Sequence, residues 1–189
     1  EWMNIFTEIA TQEIEDILSL YDLNARIVTG KIQLLYDSLD DIIIPNSGVY
    51  FKSYYERTIP TFGSVLDYNR VFGRFDAFLP LAKNHNLRLD GAYMKIWDKY
   101  DSPFYKWFYL GGPDTFVGLD YFQAAGTEFT VAAISYRYEF LESIYLKGTF
   151  NTIFNYTLLD GIKATEPLFG YGISALMKTI LGKIEIISM

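Results

Sequence analysis

Side-chain character reverses at almost every residue over long stretches of this chain, and that period of two constrains the fold more than any other feature. From Tyr68 to Leu79, Asn69, Val71, Gly73, Phe75, Ala77 and Leu79 fall on one parity, and Arg70, Arg74 and Asp76 on the other. Successive side chains of a β-strand point to opposite faces, so the segment reads as a strand with one face in an apolar medium and one in a polar medium. The pattern recurs. Ile32, Leu34 and Tyr36 oppose Lys31, Gln33 and Asp37 in a first strand over 26–37, and Leu87, Leu89, Gly91 and Tyr93 oppose Arg88 and Asp90 in a fourth. Ile134, Tyr136, Tyr138 and Phe140 oppose Ser135, Arg137 and Glu139 in a fifth strand over 128–140. Leu146, Gly148, Phe150 and Phe154 oppose Lys147, Asn151 and Asn155 in a sixth over 144–156. A Tyr- and Phe-rich second strand over 49–57, a seventh over about 169–179 and an eighth over 183–188 complete the set. Residues 1–25 differ: Ile14, Ile17, Leu18 and Tyr21 have helical spacing, while Ile5, Ile9 and Ile17 also suit a broken strand.

An all-β, antiparallel sheet of about eight strands follows. Half of the residues are hydrophobic, yet no apolar run approaches the ~20 residues of a membrane-spanning helix. A transmembrane β-barrel escapes that exclusion, because its strands alternate. Two architectures fit: a membrane barrel with its charged face toward a lumen, or a soluble lipocalin-like barrel or β-sandwich binding an apolar ligand through its aromatic face. Strand length favours the membrane barrel, since several strands reach the ~9–11 residues that cross a bilayer at a tilt. So do the connections, which alternate between short (141–143, 181–182) and long (98–126, 157–168), as in outer-membrane barrels.

The residue inventory bounds the chemistry. There is no cysteine and one histidine, His85, set between Asn84 and Asn86 and expected to be exposed. Thiolate chemistry, His-based metal centres and a Ser-His-Asp triad are not expected, and no catalytic residue, metal or cofactor is assigned. A net charge of −7 disfavours nucleic acid as a partner. Asp37, Asp40 and Asp41 lie in a Pro-Gly turn and read as solvated carboxylates. Pro80 to Asn86 reads as a turn. Arg70, Arg74, Asp76, Arg88, Asp90, Arg137 and Glu139 read as a charged ladder on one face, whose opposite charges pair between neighbouring strands.

The most distinctive segment is Phe108-Tyr-Leu-Gly-Gly-Pro-Asp-Thr-Phe-Val-Gly-Leu119, inside the long connection 98–126. Gly111 and Gly112 permit a fold-back through positive φ or close backbone approach, and Gly118 is read the same way. With Leu110, Val117 and Leu119 they form a candidate inward-folding loop.

Taken in order, these pieces resemble the bacterial surface antigen barrel superfamily, which includes outer-membrane assembly factors, two-partner secretion transporters and patatin-fused autotransporters. The resemblance rests on Leu39-Asp40 with Pro45-Asn46-Ser47-Gly48, on Phe78-Leu79-Pro80-Leu81, and on Leu110-Gly111-Gly112. Tyr136-Arg137-Tyr138, Gly170-Tyr171-Gly172 and Gly182-Lys183-Ile184 extend it. It covers about residues 26–189. It implies the C-terminal portion of a sixteen-stranded barrel without its last strand, in the bacterial outer membrane, with Leu39, Asp40, Pro45 and Gly48 at a periplasmic turn. It implies a role in anchoring, inserting or translocating a polypeptide, with membrane lipid and a passenger or substrate polypeptide as partners. The chain departs from the pattern at Val117-Gly118-Leu119, where assembly factors and secretion transporters carry Arg-Gly-aromatic, and its sixth strand lacks the Asp that such an arginine meets. That departure looks more like the patatin-fused branch, whose lipid-hydrolysing passenger would lie upstream. The chain begins at Glu1 without a signal peptide and is read as a fragment. A third reading is a hydrolase with its active site in another portion.

Overall fold

The computed structural model describes residues 27–97, 106–154, 156–157, 163–164 and 166–189. The expectations for residues 1–25 lie outside these. Among the described residues twelve strands form: β1 Thr29–Asp37, β2 Gly48–Thr58, β3 Asn69–Ala82, β4 His85–Trp97, β5 Phe108–Leu110, β6 Ala124–Gly126, β7 Glu128–Leu141, β8 Ile144–Phe154, β9 Tyr156–Thr157, β10 Lys163–Ala164, β11 Leu168–Thr179 and β12 Gly182–Ser188. Eight of them make one antiparallel sheet in the order β1-β2-β3-β4-β7-β8-β11-β12. Each long strand pairs with the next long strand in the chain, as the period-two segments predict.

The connections sort by end. Residues 38–47, 83–84, 142–143 and 180–181 turn at one end of the sheet; at the other, 59–68 joins β2 to β3, and the described parts of the two longer connections carry β5 and β6 between β4 and β7, and β9 and β10 between β8 and β11. The expected turn over 80–86 is shorter than the proline suggests. β3 runs through Pro80 to Ala82, and a register shift between Pro80 and Ala82 accommodates a residue with no N–H to give to the ladder. Asn84, at φ 67°, makes the tight turn.

The two faces have opposite fates. Leu89 pairs with Ile134, Ile134 with Phe150, and Phe150 with Tyr171, so one apolar row crosses four strands. All four side chains are at least 39% exposed, up to 76% for Tyr171. Phe75, Leu146 and Ile186 extend that outward apolar surface. A soluble sandwich would bury such a face against a second sheet, whereas a sheet that meets lipid turns it outward. This overturns the picture of an aromatic face lining a ligand pocket. The core lies on the other, inner face, where Met94, Ile96, Phe129, Val131 and Ile153 from three neighbouring strands pack against Phe108, Leu110, Phe116 and Ala124 from the long connection.

Candidate functional site

The long connection folds back onto the inner face because its sequence builds a compact hairpin. β5 pairs with β6 from Phe108↔Gly126 to Leu110↔Ala124, and the two glycines at its mouth are required. Gly111 has φ 126°, and a Cβ there would lie 1.9 Å from the Asp120 carbonyl oxygen. Gly112 has φ 85°, and its Cβ would strike the Tyr121 ring at 2.7 Å. The Thr115 hydroxyl accepts the Gly111 N–H (2.9 Å) and donates to the Gly111 carbonyl (2.8 Å). The Gly112 N–H donates to the Leu119 carbonyl (2.8 Å). The loop is thereby tied at its base, and the tip Phe116-Val117-Gly118 is driven against the wall.

At the tip, Phe116 and Val117 are buried, and Val117 is gripped through its backbone. The Asn151 side-chain Oδ1 accepts the Val117 N–H (3.2 Å), and Asn151 Nδ2 donates to the Val117 carbonyl (3.1 Å). One amide thus satisfies both polar groups of a residue removed from water, which would otherwise cost about 1–3 kcal/mol each. β11 provides the groove. A Cβ on Gly170 would sit 1.9 Å from the Val117 carbonyl oxygen, and one on Gly172 would sit 2.5 Å from Val117 Cγ1. Gly118 has φ 106°, and its Cβ would come to 3.2 Å from Gly170 Cα. Leu110, Gly111, Gly112, Val117, Gly118 and Leu119 therefore do come together in one inward-folded unit. Val117 is held by its main chain, which needs no arginine. Asn151 and Phe116 escaped the sequence reading as loop partners; an asparagine on the charged parity of the sixth strand was the one signal, and Asn155 shares it.

The seven charges expected to form a ladder instead divide into four groups. Asp76 is the hub of the first. Arg74 Nε donates to it at 2.7 Å, Arg88 donates to it through Nε (3.1 Å) and Nη2, and Arg88 Nε also lies 3.2 Å from Asp90. Asp76 and Asp90 are directly paired across β3 and β4, so the arginines offset a like-charge contact. Arg70 serves the loop instead, its guanidinium 4.3 Å from the centre of the Phe108 ring. Arg137 binds the turn at the far end, and Glu139 accepts the Ser143 N–H of the β7–β8 turn (3.2 Å). A further bridge, Lys147–Glu185–Lys183 at 2.6 and 2.8 Å, ties β8 to β12.

The turn at 38–47 is preorganised by its two aspartates. Asp40 Oδ1 accepts the Asn46 and Ser47 N–H groups (2.8 and 3.0 Å), and Asp41 Oδ1 accepts those of Ile43 and Ile44 (2.7 and 2.9 Å). Gly48 closes it at φ 108°, where a Cβ would lie 2.3 Å from the Ser38 carbonyl oxygen. The carboxylates are not simply solvated, as the sequence suggested. Asp41 pairs with Lys178, and that hydrogen bond, reinforced by the Ile44 N–H, lowers its pKa to about 2. For Asp40, burial raises the pKa but the Ser47 and Asn46 N–H groups outweigh it, and the net shift is downward. His85 is half-buried rather than exposed, with Nδ1 2.5 Å from the Tyr136 hydroxyl and its ring stacked on Tyr138.

Comparison with known proteins agrees with this geometry. The Omp85 superfamily domain matches residues 9–152, more than half of the chain. Among solved structures, the chain is similar to BamA from Haemophilus ducreyi lacking POTRA domains 1-3, with a TM-score of 0.71 at 15% identity. That match covers 84% of this chain and 38% of the BamA chain, so this chain spans well under half the length of that relative. No curated protein matches. Eight meandering antiparallel strands, an outward apolar face, an inward loop and the family match lead to one conclusion: the chain belongs to the Omp85 superfamily and is a bacterial outer-membrane β-barrel protein.

Proposed function

We propose that this chain forms part of the wall of an outer-membrane barrel that inserts or translocates a polypeptide, with the loop at 106–126 plugging or gating a charged lumen. The seating of Phe116-Val117-Gly118 between Asn151 and the Gly170/Gly172 groove carries the reading. A loop that satisfies its backbone on the wall occupies the interior, and its tip is held there by two hydrogen bonds to one side chain. The inner face is the lumen side, and the end bearing residues 38–47 is periplasmic. Lipid meets the row from Leu89 to Tyr171. No catalysis is assigned to the chain itself.

The absence of an arginine at Val117 supports placement in the patatin-fused autotransporter branch, in which a lipid-hydrolysing passenger would precede the barrel. The sequence upstream of Glu1 tests that placement: a Gly-x-Ser-x-Gly nucleophile motif supports it, and a train of periplasmic repeats rejects it. Gating is tested in planar bilayers with the complete protein. Gly170→Ala, which denies Val117 its seat, should raise the open fraction relative to Gly148→Ala, where a Cβ meets nothing within 4 Å. Equal conductance of the two variants would exclude the loop as the gate.

A further inference from the structure

The turn at 38–47 does more than join β1 to β2. It reaches over the inner face to four other strands and is received there by groups that take main-chain carbonyls, an aliphatic side chain and a carboxylate. Arg137 Nη2 on β7 donates to the Pro45 carbonyl (2.5 Å) and to Asn46 Oδ1 (2.7 Å), and Asn86 on β4 donates to the Asn46 carbonyl. Ile44, 3% exposed, fills a hole between Tyr145 on β8 and Leu176 on β11. Lys178 on β11 takes Asp41.

Two features distinguish this seat from an ordinary turn contact. Arg137 is itself buried, yet no carboxylate lies within ion-pair distance of it among the described residues, so its charge is met by the neutral oxygens of the turn. The turn also keeps its shape through its own aspartates, the Asp40 N–H to Ser47 O bond (3.2 Å) and the Gly48 closure, and is bonded to its hairpin at Ser38, whose N–H and hydroxyl meet the Val49 carbonyl (3.0 and 3.1 Å) and whose hydroxyl accepts the Val49 N–H (3.0 Å). It can therefore leave the wall as a body without unfolding β1 or β2. On leaving, it would withdraw two carboxylates and expose Arg137 and Lys178 beside a cavity of about 360 Å³, now walled in part by Leu39, Ile43, Ile44 and Pro45 of the turn, that also carries Lys147, Lys183 and the Asp76-paired Arg74 and Arg88. A cationic, partly apolar groove would remain.

We propose that residues 38–47 occupy in cis a groove that otherwise receives an acidic turn of a polypeptide, with a carboxylate at Lys178, an aliphatic side chain three residues later between Tyr145 and Leu176, and main-chain carbonyls on Arg137 and Asn86. Residues 38–47 are a stand-in for that turn. The inference builds on the reading of the inner face as the polypeptide's path, but peptide binding is measured in micelles and succeeds or fails independently of conductance.

The test uses the full chain in detergent and a fluorescein-labelled peptide with the sequence of residues 38–48. Replacing residues 40–46 by an Asn-Gly turn should tighten peptide binding at least tenfold over the native chain, and adding Arg137→Gln should reverse about a tenfold gain, the size expected for a lost charge-assisted hydrogen bond. A peptide carrying Asp41→Asn and Ile44→Ser should bind weakly to every form. Should the shortened chain not fold, the native chain answers the same question. A dye on Ile42→Cys, at a position 99% exposed in a chain without cysteine, should report displacement of the turn by saturating peptide. Equal binding by native and shortened chains, equal binding of the altered peptide, or a dye signal unmoved at saturation each overturns the proposal.

Discussion

Asn151 holds both the N–H and the carbonyl of Val117, at 3.2 and 3.1 Å, so a single side chain in the middle of β8 fixes the tip of a loop that departs from the sheet between β4 and β7. Because the grip is on the main chain, it is indifferent to the residue at 117. Val117 contributes packing against Gly172 rather than charge.

Asn151→Ala should therefore leave two buried backbone groups without partners, at about 1–3 kcal/mol each. Limited proteolysis should show cleavage within 106–126 well before the strands are attacked, together with a lower urea midpoint in detergent. Asn151→Asp keeps an acceptor for the Val117 N–H but offers no donor to its carbonyl, and should be at least as damaging. A loop as protected in both variants as in the native chain would show that other contacts hold it.

Glycine positions give a graded test. Gly170→Ala places a methyl 1.9 Å from the Val117 carbonyl oxygen, an overlap that backbone cannot absorb, while Gly148→Ala has open space around it. Overpacking of this kind costs typically ~1–3 kcal/mol. The Gly170 variant should lose that much in equilibrium unfolding and the Gly148 variant should be near neutral; equal effects would remove the groove from the account.

Acid should release the 38–47 turn. Asp41 has its pKa lowered from 3.8 to about 2, first by the Lys178 hydrogen bond and then by the Ile44 N–H. A depressed folded-state value means that the pairing is at full strength above the unfolded value and is lost as pH falls through the folded one. The contribution should fade between pH 4 and pH 2. Lys178→Gln should move the Asp41 titration upward, as read by carboxyl NMR shifts. An unmoved titration would show that Lys178 is not its partner in solution.

The outward row should behave as lipid contact. Leu89→Arg or Phe75→Arg should cost roughly 2–4 kcal/mol if the site lies near the bilayer midplane, measured by unfolding from lipid vesicles. A neutral result would reverse the assigned faces.

The sheet was legible because alternation is local: each strand declares its own two faces, and Leu89, Ile134 and Phe150 could be assigned before their pairing was known, whereas the seventh strand was read as a range and the face of Tyr171 came from the structure. Connection length separated the ends for the later strands but not for 38–47 and 59–68, which lie at opposite ends with equal length. Local signals misled at Pro80, where a bulge lets the strand continue, and at His85, whose aromatic neighbours come from β7. The site was legible in part. Gly111, Gly112 and Gly118 announce unusual backbone, but nothing near Asn151 in sequence distinguishes it from Asn155 as the residue that meets Val117. The partners of Arg137 and Asp41 lie 91–92 and 137 residues away, a distance at which periodicity carries no information. Asp40 and Asp41 looked solvated because turn carboxylates usually are; their bonds to backbone N–H groups depend on the geometry that Gly48 closes.

The seating of the loop tip on the wall is the claim on which the rest depends, and a cysteine pair tests it directly. The chain has no native cysteine, and Val117 Cγ1 lies 2.5 Å from where a Gly172 Cβ would be. With Val117→Cys and Gly172→Cys in the complete protein in native outer membranes, mild oxidation should form an intramolecular disulfide, seen as a mobility shift that reductant reverses. Val117→Cys paired with Gly148→Cys should form none. Failure of the first pair to cross-link in folded protein, or equal cross-linking of both pairs, would contradict an inward loop seated at Gly170 and Gly172.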